Sequence, residues 1–419
     1  MPLNLLRRWL ARKNVSDRSN VDQPGERAPA PLVAPPGKGL RDGTLVITHA
    51  EVCRRHGAGA LLMKIFAKDP SLMVLYSRNY FDGECFGHVT AHLPHPTLDL
   101  KESKARLAPV LAGRDIQRIF CVPFYPDDAV SGVAAAELTG APLVTYIMDD
   151  QNVFTTGIPD GLMERLVDRS ALLFAISEVL RAGYQKKYGK PCWIIPPVNE
   201  AHLFAPTDYL GPGNQPPRGV IIGNVWSSEV LQSLRDTVKA SGLAVDWYGN
   251  AGKPFIQLDE VELAAEGIVL HPNLTDEPLV QALRECDYGI MPSGTLSANL
   301  EHDWLFRASL PSRLIYLLTT AHLPLIVLGD PETAAAQFVT RLGLGTTAPY
   351  EAERFSAAVT DVTSPGRQRQ IRAAAAALAP AFVSEPVAAF VWKSVEKGRP
   401  LDERYEVLFA DPLPSPHCR

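Results

Sequence analysis

Two series of short apolar runs, each alternating with helical segments, constrain the fold of this 419-residue chain more than any other feature. The runs of the first series are at 45–48, 73–76, 118–122, 143–148, 171–176 and 193–195, and those of the second are at 220–222, 244–248, 267–270, 288–291 and 325–328. Near-continuous apolar runs separated by helices predict parallel strands covered on both faces. The sequence therefore predicts an α/β protein with two doubly wound, Rossmann-like domains.

A stretch rich in proline and glycine separates the two series. It comprises Pro196-Pro197, Pro206 and the cluster GPGNQPPRG at 211–219, a composition typical of a linker. We accordingly divide the chain into a tail and linker (1–40), an N-terminal domain (41–210), a C-terminal domain (211–385), and a C-terminal helix and tail (386–419) that packs back on the N-terminal domain. Two such domains face each other across a cleft at the carboxyl ends of their strands, where ligands bind.

Composition excludes several classes of protein. The chain has 41 basic and 46 acidic residues, a net charge of −5, whereas a nucleic-acid binder normally has a basic excess. Its six cysteines form no CxxC pair and have no histidine at zinc spacing, which favours a reducing compartment without a structural metal. No apolar run approaches the roughly 20 residues that span a bilayer. We expect a soluble, cytoplasmic protein that needs no metal or cofactor.

The first thirteen residues, MPLNLLRRWLARK, combine a leucine-rich helical face with four basic side chains. This pattern is typical of an amphipathic helix on an anionic membrane surface, and it would place the protein peripherally at the inner membrane face. The alternative is a frayed tail or a helix docked on the body of the protein.

The segment LPSRLIYLLTTAHLPLIVLGD at 310–330 predicts a helix, a turn at His322 and a buried strand. Ser312 is expected to be the N-cap, with Arg313 in the first turn. A helix start offers free N–H groups and a positive dipole end to a phosphate, and a guanidinium adds a planar cation. The segment predicts a diphosphate contact, and the alternative is an ordinary capped helix.

Polar or glycine-rich turns follow the strands of the first series. Gly57 and Gly59 open a helix and allow a ligand close to the backbone, although the third glycine of a dinucleotide motif is absent and a packing role is the alternative. Asp149 and Asp150 follow an apolar strand, where adjacent carboxylates can act as a general base, hold sugar hydroxyls or ligate a metal. Adjacent positions do not aim two carboxylates at one ion from an extended chain, so hydroxyl recognition is favoured over metal binding. Asp127-Asp128 is interpreted as an N-cap pair.

The second series has corresponding turns. The candidate ligand-binding residues at its strand ends are Gly223, Asn224, Tyr248, Gly249, Pro292 and Ser293. Tyr248 or Trp226 could stack on a base or sugar. The long loop after Ser293 also contains Glu301, His302 and Arg307.

The order of these segments resembles glycosyltransferases of the GT-B fold, specifically the retaining nucleotide-sugar transferases of family 4. The resemblance covers roughly residues 44–390 and is strongest in CDYGIMPS followed by LPSRLIYLLTTAHLPLIV. GNVWSS with WYGN is similar to the turns that open the family's donor domain, and RRHGAGALLMKIF is similar to the first turn and helix of its acceptor domain.

The resemblance implies a nucleoside-diphosphate sugar held by the second domain and a glycan or lipid-linked saccharide acceptor held by the first, in polysaccharide or glycan synthesis. Ser312 and Arg313 would hold the diphosphate, with Gly57 and Gly59 on the opposite wall. Asp149 or Asp150 falls near the place where the family offers a histidine to the donor sugar. Stabilisation of the departing diphosphate would carry most of the catalysis, without a metal.

The chain also departs from the family. The family's pair of glutamates, seven residues apart, cannot be placed, and Tyr316 or Leu317 stands where the second would fall. Asn224 and Trp226 replace the usual basic pair after the first donor-domain strand. A catalytically degenerate GT-B protein that binds glycans or serves as an assembly subunit is therefore the main alternative. A nucleotide-sugar epimerase comes third, and an NAD-dependent dehydrogenase is disfavoured because the glycine fingerprint is incomplete.

Overall fold

The computed structural model describes residues 43–94, 97–225, 227–249, 258–296 and 304–410. Two parallel sheets of seven and six strands organise these residues. The predicted amphipathic segment 1–13, together with Trp226, Glu301 and His302, lies outside the described residues.

The first sheet has the strand order β3-β2-β1-β4-β5-β6-β7, and every neighbouring pair is parallel. Its strands are β1 (Gly43–Ala50), β2 (Leu72–Arg78), β3 (Val89–His92), β4 (Ile116–Cys121), β5 (Leu143–Ile147), β6 (Ser170–Ala175) and β7 (Cys192–Ile194). The helices between them are α1 (Gly57–Phe66), α2 (Leu100–Leu111), α3 (Pro126–Thr139), α4 (Asp160–Arg169) and α5 (Glu178–Tyr188). Strands β1 and β5 are buried along their whole length, as expected of a sheet covered on both faces.

The second sheet has the order β10-β9-β8-β11-β12-β13 and is also parallel. Its strands are β8 (Gly219–Ile222), β9 (Val245–Tyr248), β10 (Ile268–His271), β11 (Tyr288–Pro292), β12 (Leu325–Leu328) and β13 (Gly345–Ala348). The helices that accompany it are α6 (Ser228–Ser241), α7 (Glu260–Ala265), α8 (Asp276–Arg284), α9 (Trp304–Ala308), α10 (Ser312–Ala321), α11 (Ala334–Arg341), α12 (Ala352–Thr363) and α13 (Pro365–Leu378), and α14 (Val387–Lys397) follows them. The prediction of two doubly wound, Rossmann-like domains is confirmed.

The ends of the helices show which local sequence signals are sufficient to predict where a helix begins or ends. Ser177 caps α5 by accepting a hydrogen bond from the Leu180 N–H, and Gly189 ends the helix in a left-handed conformation; serine and glycine are residue types preferred at these two positions. The predicted N-cap at Ser312 is wrong, because the backbone is extended at Pro311 (ψ 131°) and Ser312 is already the first helical residue.

The predicted N-cap pair Asp127-Asp128 is also wrong in position. The N-cap of α3 is Tyr125, and both aspartates lie in the first turn of the helix. Asp128 reaches back to accept hydrogen bonds from the N–H groups of Phe124 (3.0 Å) and Tyr125 (2.9 Å). The carboxylate therefore still stabilises the helix start, from the third position rather than the cap.

The chain passes between the two sheets twice, and the two passages meet. After β7 it leads to β8, and after α13 it returns to α14, whose Phe390 ring lies 6.4 Å from the Phe174 ring of β6. At the meeting point the Asn199 N–H donates to the Phe382 carbonyl (2.8 Å) and the Ser384 N–H donates to the Asn199 carbonyl (2.9 Å). These paired passages define the junction between the sheets; the limits given above for the four segments stay a prediction.

The turn between α10 and β12 contains a buried histidine in a left-handed conformation. His322 has φ 46° and ψ 36° and ends α10, as the sequence predicted for the turn. Its side chain is 1% exposed. Burial and the nearby Arg372 and Arg284 guanidinium groups lower the pKa of His322 to about 4. The folded protein therefore favours the neutral imidazole.

We expect the free energy of unfolding to decrease as the pH falls from about 6.5, the pKa of an unfolded histidine, to about 4. In this range the histidine of the unfolded chain is protonated, whereas His322 in the folded protein stays neutral. The loss attributable to His322 is at most about 3 kcal/mol. The variant His322→Asn keeps a residue that tolerates the left-handed conformation but cannot titrate. Urea unfolding between pH 4 and 7.5 should show a flatter pH dependence for this variant than for the wild type. The exposed His202→Asn is the matched control, and equal slopes for His322→Asn and the wild type would contradict the assignment.

Candidate active site

The guanidinium of Arg313 lies at the carboxyl ends of two neighbouring strands of the second sheet. It donates hydrogen bonds to the carbonyls of Asn224 (3.0 Å), Ile222 (3.4 Å) and Pro292 (3.3 Å), which end β8 and β11 or follow them directly. Burial lowers the pKa of Arg313 to about 10, which leaves it charged at neutral pH. No carboxylate pairs with it among the described residues. A desolvated cation with only neutral partners, in the first turn of α10, is suited to an anion.

Two glycines shape the loops beside Arg313. Gly223 (φ 78°) and Gly249 (φ 138°) have backbone conformations that side chains rarely adopt. A Cβ added to Gly249 would lie 2.6 Å from the Gly223 carbonyl oxygen, so the two loops pack back to back. The same carbonyl accepts a hydrogen bond from the indole of Trp247 (2.9 Å), a completely buried side chain. The core of the second domain is thereby connected directly to the loop that holds Arg313.

The remaining predicted residues of the second domain surround this point. Tyr248 ends β9, and its ring stacks on His271 with the centroids 4.5 Å apart. Burial raises the pKa of Tyr248. Pro292 ends β11, and the Ser293 N–H donates to the Leu328 carbonyl (2.9 Å). Ser312, in the first turn of α10, is half-buried. The structure thus brings Gly223, Asn224, Pro292 and Arg313 together through direct hydrogen bonds or packing.

The two glycines predicted for the first domain behave differently. A Cβ on Gly59 would lie 2.7 Å from the Cys53 backbone nitrogen, so this position is closed by packing. Gly57 is exposed, and a Cβ there would meet nothing within 4 Å. Open space at the start of α1 makes Gly57 the better candidate for ligand contact. Packing accounts for the glycine at position 59, and ligand contact by either residue stays a prediction.

A lysine joins α1 to the second domain. Lys64 donates to the Asn199 side-chain carbonyl (2.7 Å), and its ammonium lies 4.8 Å from the centre of the Tyr316 ring on α10. Asn199 in turn donates from its side-chain amide to the Thr319 hydroxyl (3.1 Å). Burial lowers the pKa of Lys64 to about 8. Helices α1 and α10, whose first turns contain Gly57 and Arg313, are therefore held side by side.

Asp149 contacts the segment that leads into α10. Its carboxylate accepts a hydrogen bond from the Ser309 hydroxyl (2.6 Å), two residues before Pro311. Burial raises the pKa of Asp149, and the neighbouring Asp150 adds to the effect. Phe154, later in the same loop, stacks on Trp304 of α9 at 4.2 Å. A first-domain loop therefore holds the second-domain segment before the Arg313 helix.

Asp150 is completely buried and engaged within its own loop. Its two carboxylate oxygens accept from the N–H groups of Val153 (2.9 Å), Phe154 (2.9 Å) and Thr155 (2.6 Å). These bonds shape the turn after β5. The catalytic role suggested for Asp150 stays a prediction, and its hydrogen bonds favour a role in holding the loop.

His49, at the carboxyl end of the first sheet, is a candidate site residue that was not predicted from the sequence. His49 is the penultimate residue of strand β1, is 7% exposed, and is surrounded by aromatic rings. A sequence signal for it exists, because a polar residue at the end of an apolar strand is a candidate for a site at this edge of the sheet. Arg307, named earlier only as a member of a polar loop, is buried and forms an ion pair with Asp330 after β12.

Several chains of known structure share this two-domain arrangement. Alr3699/HepE from Anabaena, solved in complex with UDP, has a TM-score of 0.58 and 13% identity over 85% of this chain and 100% of that one. The fold is GT-B. MurG from Acinetobacter baumannii (TM-score 0.55, 12% identity) and a UDP-forming α,α-trehalose-phosphate synthase from Burkholderia vietnamiensis (0.56, 10%) match over the same shares of the chains. No protein-family model and no curated protein sequence matches this chain. At these identities the likeness establishes the fold.

The described residues contain neither a metal-binding cluster nor a membrane-spanning helix. In residues 43–410, outside the gaps given above, no three His, Cys, Asp or Glu side chains are grouped so as to hold a metal ion. Over the same part of the chain, no helix is both long enough and apolar enough to cross a bilayer.

Proposed function

We propose that this protein is a glycosyltransferase that moves a sugar from a nucleoside-diphosphate sugar to a glycan or lipid-linked saccharide acceptor, in the synthesis of a polysaccharide or other glycan. The observation that carries the proposal is Arg313, a half-buried cation at the strand ends whose hydrogen-bond partners, within the part of the chain that the structure describes, are backbone carbonyls alone. The GT-B fold supports it, since structures with this fold include one solved with UDP and another with UDP-glucose.

In this proposal Arg313 and the first turn of α10 bind the diphosphate. The bond between the sugar C1 and the phosphate oxygen breaks, and the acceptor hydroxyl oxygen bonds to C1 from the same face, with its proton passing to the departing phosphate. The anomeric configuration is then retained. The protein's main contribution is to stabilise charge that grows on the diphosphate, so no metal is needed.

We assign Asp149 a positioning role in the same proposal. One of its oxygens holds Ser309, which precedes the Arg313 helix, and the other is available for a sugar hydroxyl. A carboxylate whose pKa is raised by burial binds a hydroxyl well in either protonation state, since it can accept or donate.

A degenerate, non-catalytic GT-B protein is the second candidate. The observation in its favour is Tyr316, which stands at or next to the position of the expected second glutamate and whose ring contacts Lys64. The contact with Lys64 of the first domain engages this side chain in the junction between the domains, and its hydroxyl lies 3.5 Å from the Asp276 carbonyl of the second domain. Such a protein would bind a glycan or a partner without turning over a donor.

Isothermal titration of the full chain should separate these candidates. We expect UDP or GDP to bind at least about tenfold more tightly than the matching monophosphate, because the second phosphate adds a charged contact to Arg313. Binding should persist in EDTA if no metal is needed. Donor turnover with a retained anomer, followed by NMR, identifies the transferase; nucleotide binding without turnover identifies the degenerate protein. Absence of binding by every nucleotide would refute the proposed function.

We also propose that the protein is cytoplasmic and that residues 1–13 contact a membrane surface peripherally. Their basic and apolar side chains suit an anionic bilayer. The full chain should co-sediment with vesicles containing an anionic lipid, and a chain that begins at Leu40 should not. Equal sedimentation of the two chains would exclude the segment from this role.

A further inference from the structure

Tyr350 has a buried hydroxyl near Arg313 that forms no hydrogen bond within the described residues. The residue follows β13, at the edge of the second sheet where the diphosphate contact is proposed. We propose that Tyr350 is a positioning residue for Arg313: when the diphosphate binds, the Tyr350 hydroxyl accepts a hydrogen bond from the guanidinium and fixes its orientation. This inference rests on the proposed function and adds a residue to its site.

The register of the second sheet brings Tyr350 to the same edge as Arg313. Strands β11, β12 and β13 end level with one another, because Pro292 is paired with Leu328 and Leu328 with Ala348. Arg313 donates a hydrogen bond to the carbonyl that ends β11 (3.3 Å), and Tyr350 follows the residue that ends β13 by two positions. Both side chains therefore belong to the row of loops at the carboxyl ends of these strands.

Electrostatic effects place the two side chains near each other. Burial raises the pKa of Tyr350, and the positive charge of Arg313 counteracts this rise, as do the nearby N–H groups of Gly294 and Ser293. Burial lowers the pKa of Arg313, and a negative charge on Tyr350 would counteract that fall. Charges influence each other in this way only over short distances. The phenol is protonated at neutral pH and lies close to the loop that follows β11.

Packing explains the ring of Tyr350 but not its hydroxyl. The ring packs against the core of the second domain, and phenylalanine would fill the same space. The hydroxyl oxygen is closed off from solvent, so water does not serve as its partner. A buried hydroxyl without a hydrogen bond destabilises the folded protein. Such a group calls for an explanation, and a guanidinium that changes partners when a ligand binds provides one.

The present hydrogen bonds of Arg313 allow this change of partner. Those to the carbonyls of Pro292 (3.3 Å) and Ile222 (3.4 Å) are longer than a typical N–H···O bond. A phenol oxygen is a neutral acceptor, so it orients the guanidinium without neutralising the charge that attracts the diphosphate. A carboxylate in its place would form an ion pair with Arg313 and weaken that attraction.

Titration of UDP, GDP and the matching monophosphates into the full-length Tyr350→Phe protein tests this proposal. We expect the diphosphate affinity to fall about tenfold, because a hydrogen bond to a charged group is lost. The monophosphate affinity should change less than about twofold, because the contact with Arg313 is made by the second phosphate. The melting temperature should equal that of the wild type or rise by about 2–4 °C, since an unpaired buried hydroxyl has been removed. A tyrosine with a structural role alone would instead lower the melting temperature and leave the preference for diphosphates unchanged.

Tyr288→Phe is the matched control. The Tyr288 hydroxyl is also buried and has no hydrogen-bond partner in the described part of the chain. The residue begins β11, however, and so lies at the opposite edge of the same sheet. Its replacement should affect the melting temperature in the same direction as Tyr350→Phe and should leave nucleotide affinity unchanged.

A double-mutant cycle shows whether Tyr350 acts through Arg313. In the Arg313→Ala protein, the further change Tyr350→Phe should leave the diphosphate affinity within about twofold of that of Arg313→Ala alone. Equal losses of affinity in both backgrounds, or wild-type affinity in Tyr350→Phe, would overturn the proposal while the binding of UDP or GDP by the wild type leaves the proposed function intact. Failure of the wild type to bind any nucleotide would refute the proposed function and this inference with it.

Discussion

Replacing Arg313 by alanine is expected to weaken the binding of UDP- or GDP-sugars at least about a hundredfold and to lower kcat by about 10²–10³. A charged contact made in a desolvated site contributes about 2–5 kcal/mol. This stabilisation increases as negative charge develops on the leaving diphosphate. Arg313→Lys should be intermediate, because it keeps the charge but loses the planar fork that now bridges Asn224 and Pro292. Titration calorimetry gives the affinity, and a coupled diphosphate-release assay gives kcat.

The control for this experiment is Arg354→Ala, an exposed arginine on α12 of the same domain. It should change neither quantity. Removal of Arg313 also takes a hydrogen-bond donor away from three backbone carbonyls, so the melting temperature of each variant has to accompany its affinity. A well-folded Arg313→Ala protein that binds nucleotide as tightly as the wild type would exclude this residue from the site.

Trp247→Ala is expected to have the largest effect on stability. The indole is completely buried in the second domain, and truncation of such a side chain costs about 3–5 kcal/mol. It also leaves the Gly223 carbonyl without the 2.9 Å hydrogen bond that it now accepts. Urea unfolding should show the loss in the transition of the second domain.

Trp247→Phe separates the two contributions. It keeps most of the apolar volume and removes the hydrogen bond, so we expect a loss of about 1–2 kcal/mol. Nucleotide affinity should also fall, because Gly223 lies in the loop whose carbonyls hold Arg313. Trp193→Phe, in the first domain, should leave nucleotide affinity unchanged. If Trp247→Phe alters neither stability nor affinity, the connection between core and loop is unimportant.

Sequence patterns were sufficient where the determinants are local. The buried runs of β12 and β5 are apolar at nearly every position, and Ser177 and Gly189 delimit α5 by hydrogen bonding and backbone conformation within a few residues. Weaker elements were overlooked. Strand β13 (Gly345–Ala348) has only four residues, two of them threonine, at the edge of its sheet. Helix α2 includes Pro109 and has little apolar periodicity.

The site could be predicted only in part, because some of its contacts join residues that are far apart in the sequence. Topology alone implies that the turns after β8 and β11 meet, and Arg313 indeed contacts both. The bond from Ser309 to Asp149 joins residues 160 positions apart across two domains, and no sequence spacing encodes it. The different roles of two adjacent residues could not be predicted from the sequence either. Asp149 and Asp150 look alike in the sequence, but one faces the other domain and the other holds its own loop.

The paired passages at Asn199 have a consequence for how widely the cleft can open. Because the two connections are hydrogen-bonded to each other at Asn199, we expect them to permit rotation of the two domains about one axis and to resist sliding of one domain along the other. Asn199 bonds to Lys64 and Thr319, each seven residues beyond the first residue of its helix, Gly57 or Ser312. At 1.5 Å per residue, the first residue of each helix lies about 10 Å along that helix from the residue that bonds to Asn199. An opening of about 10° would therefore separate them by only about 2 Å, which is enough to lose a hydrogen bond to a diphosphate held between them.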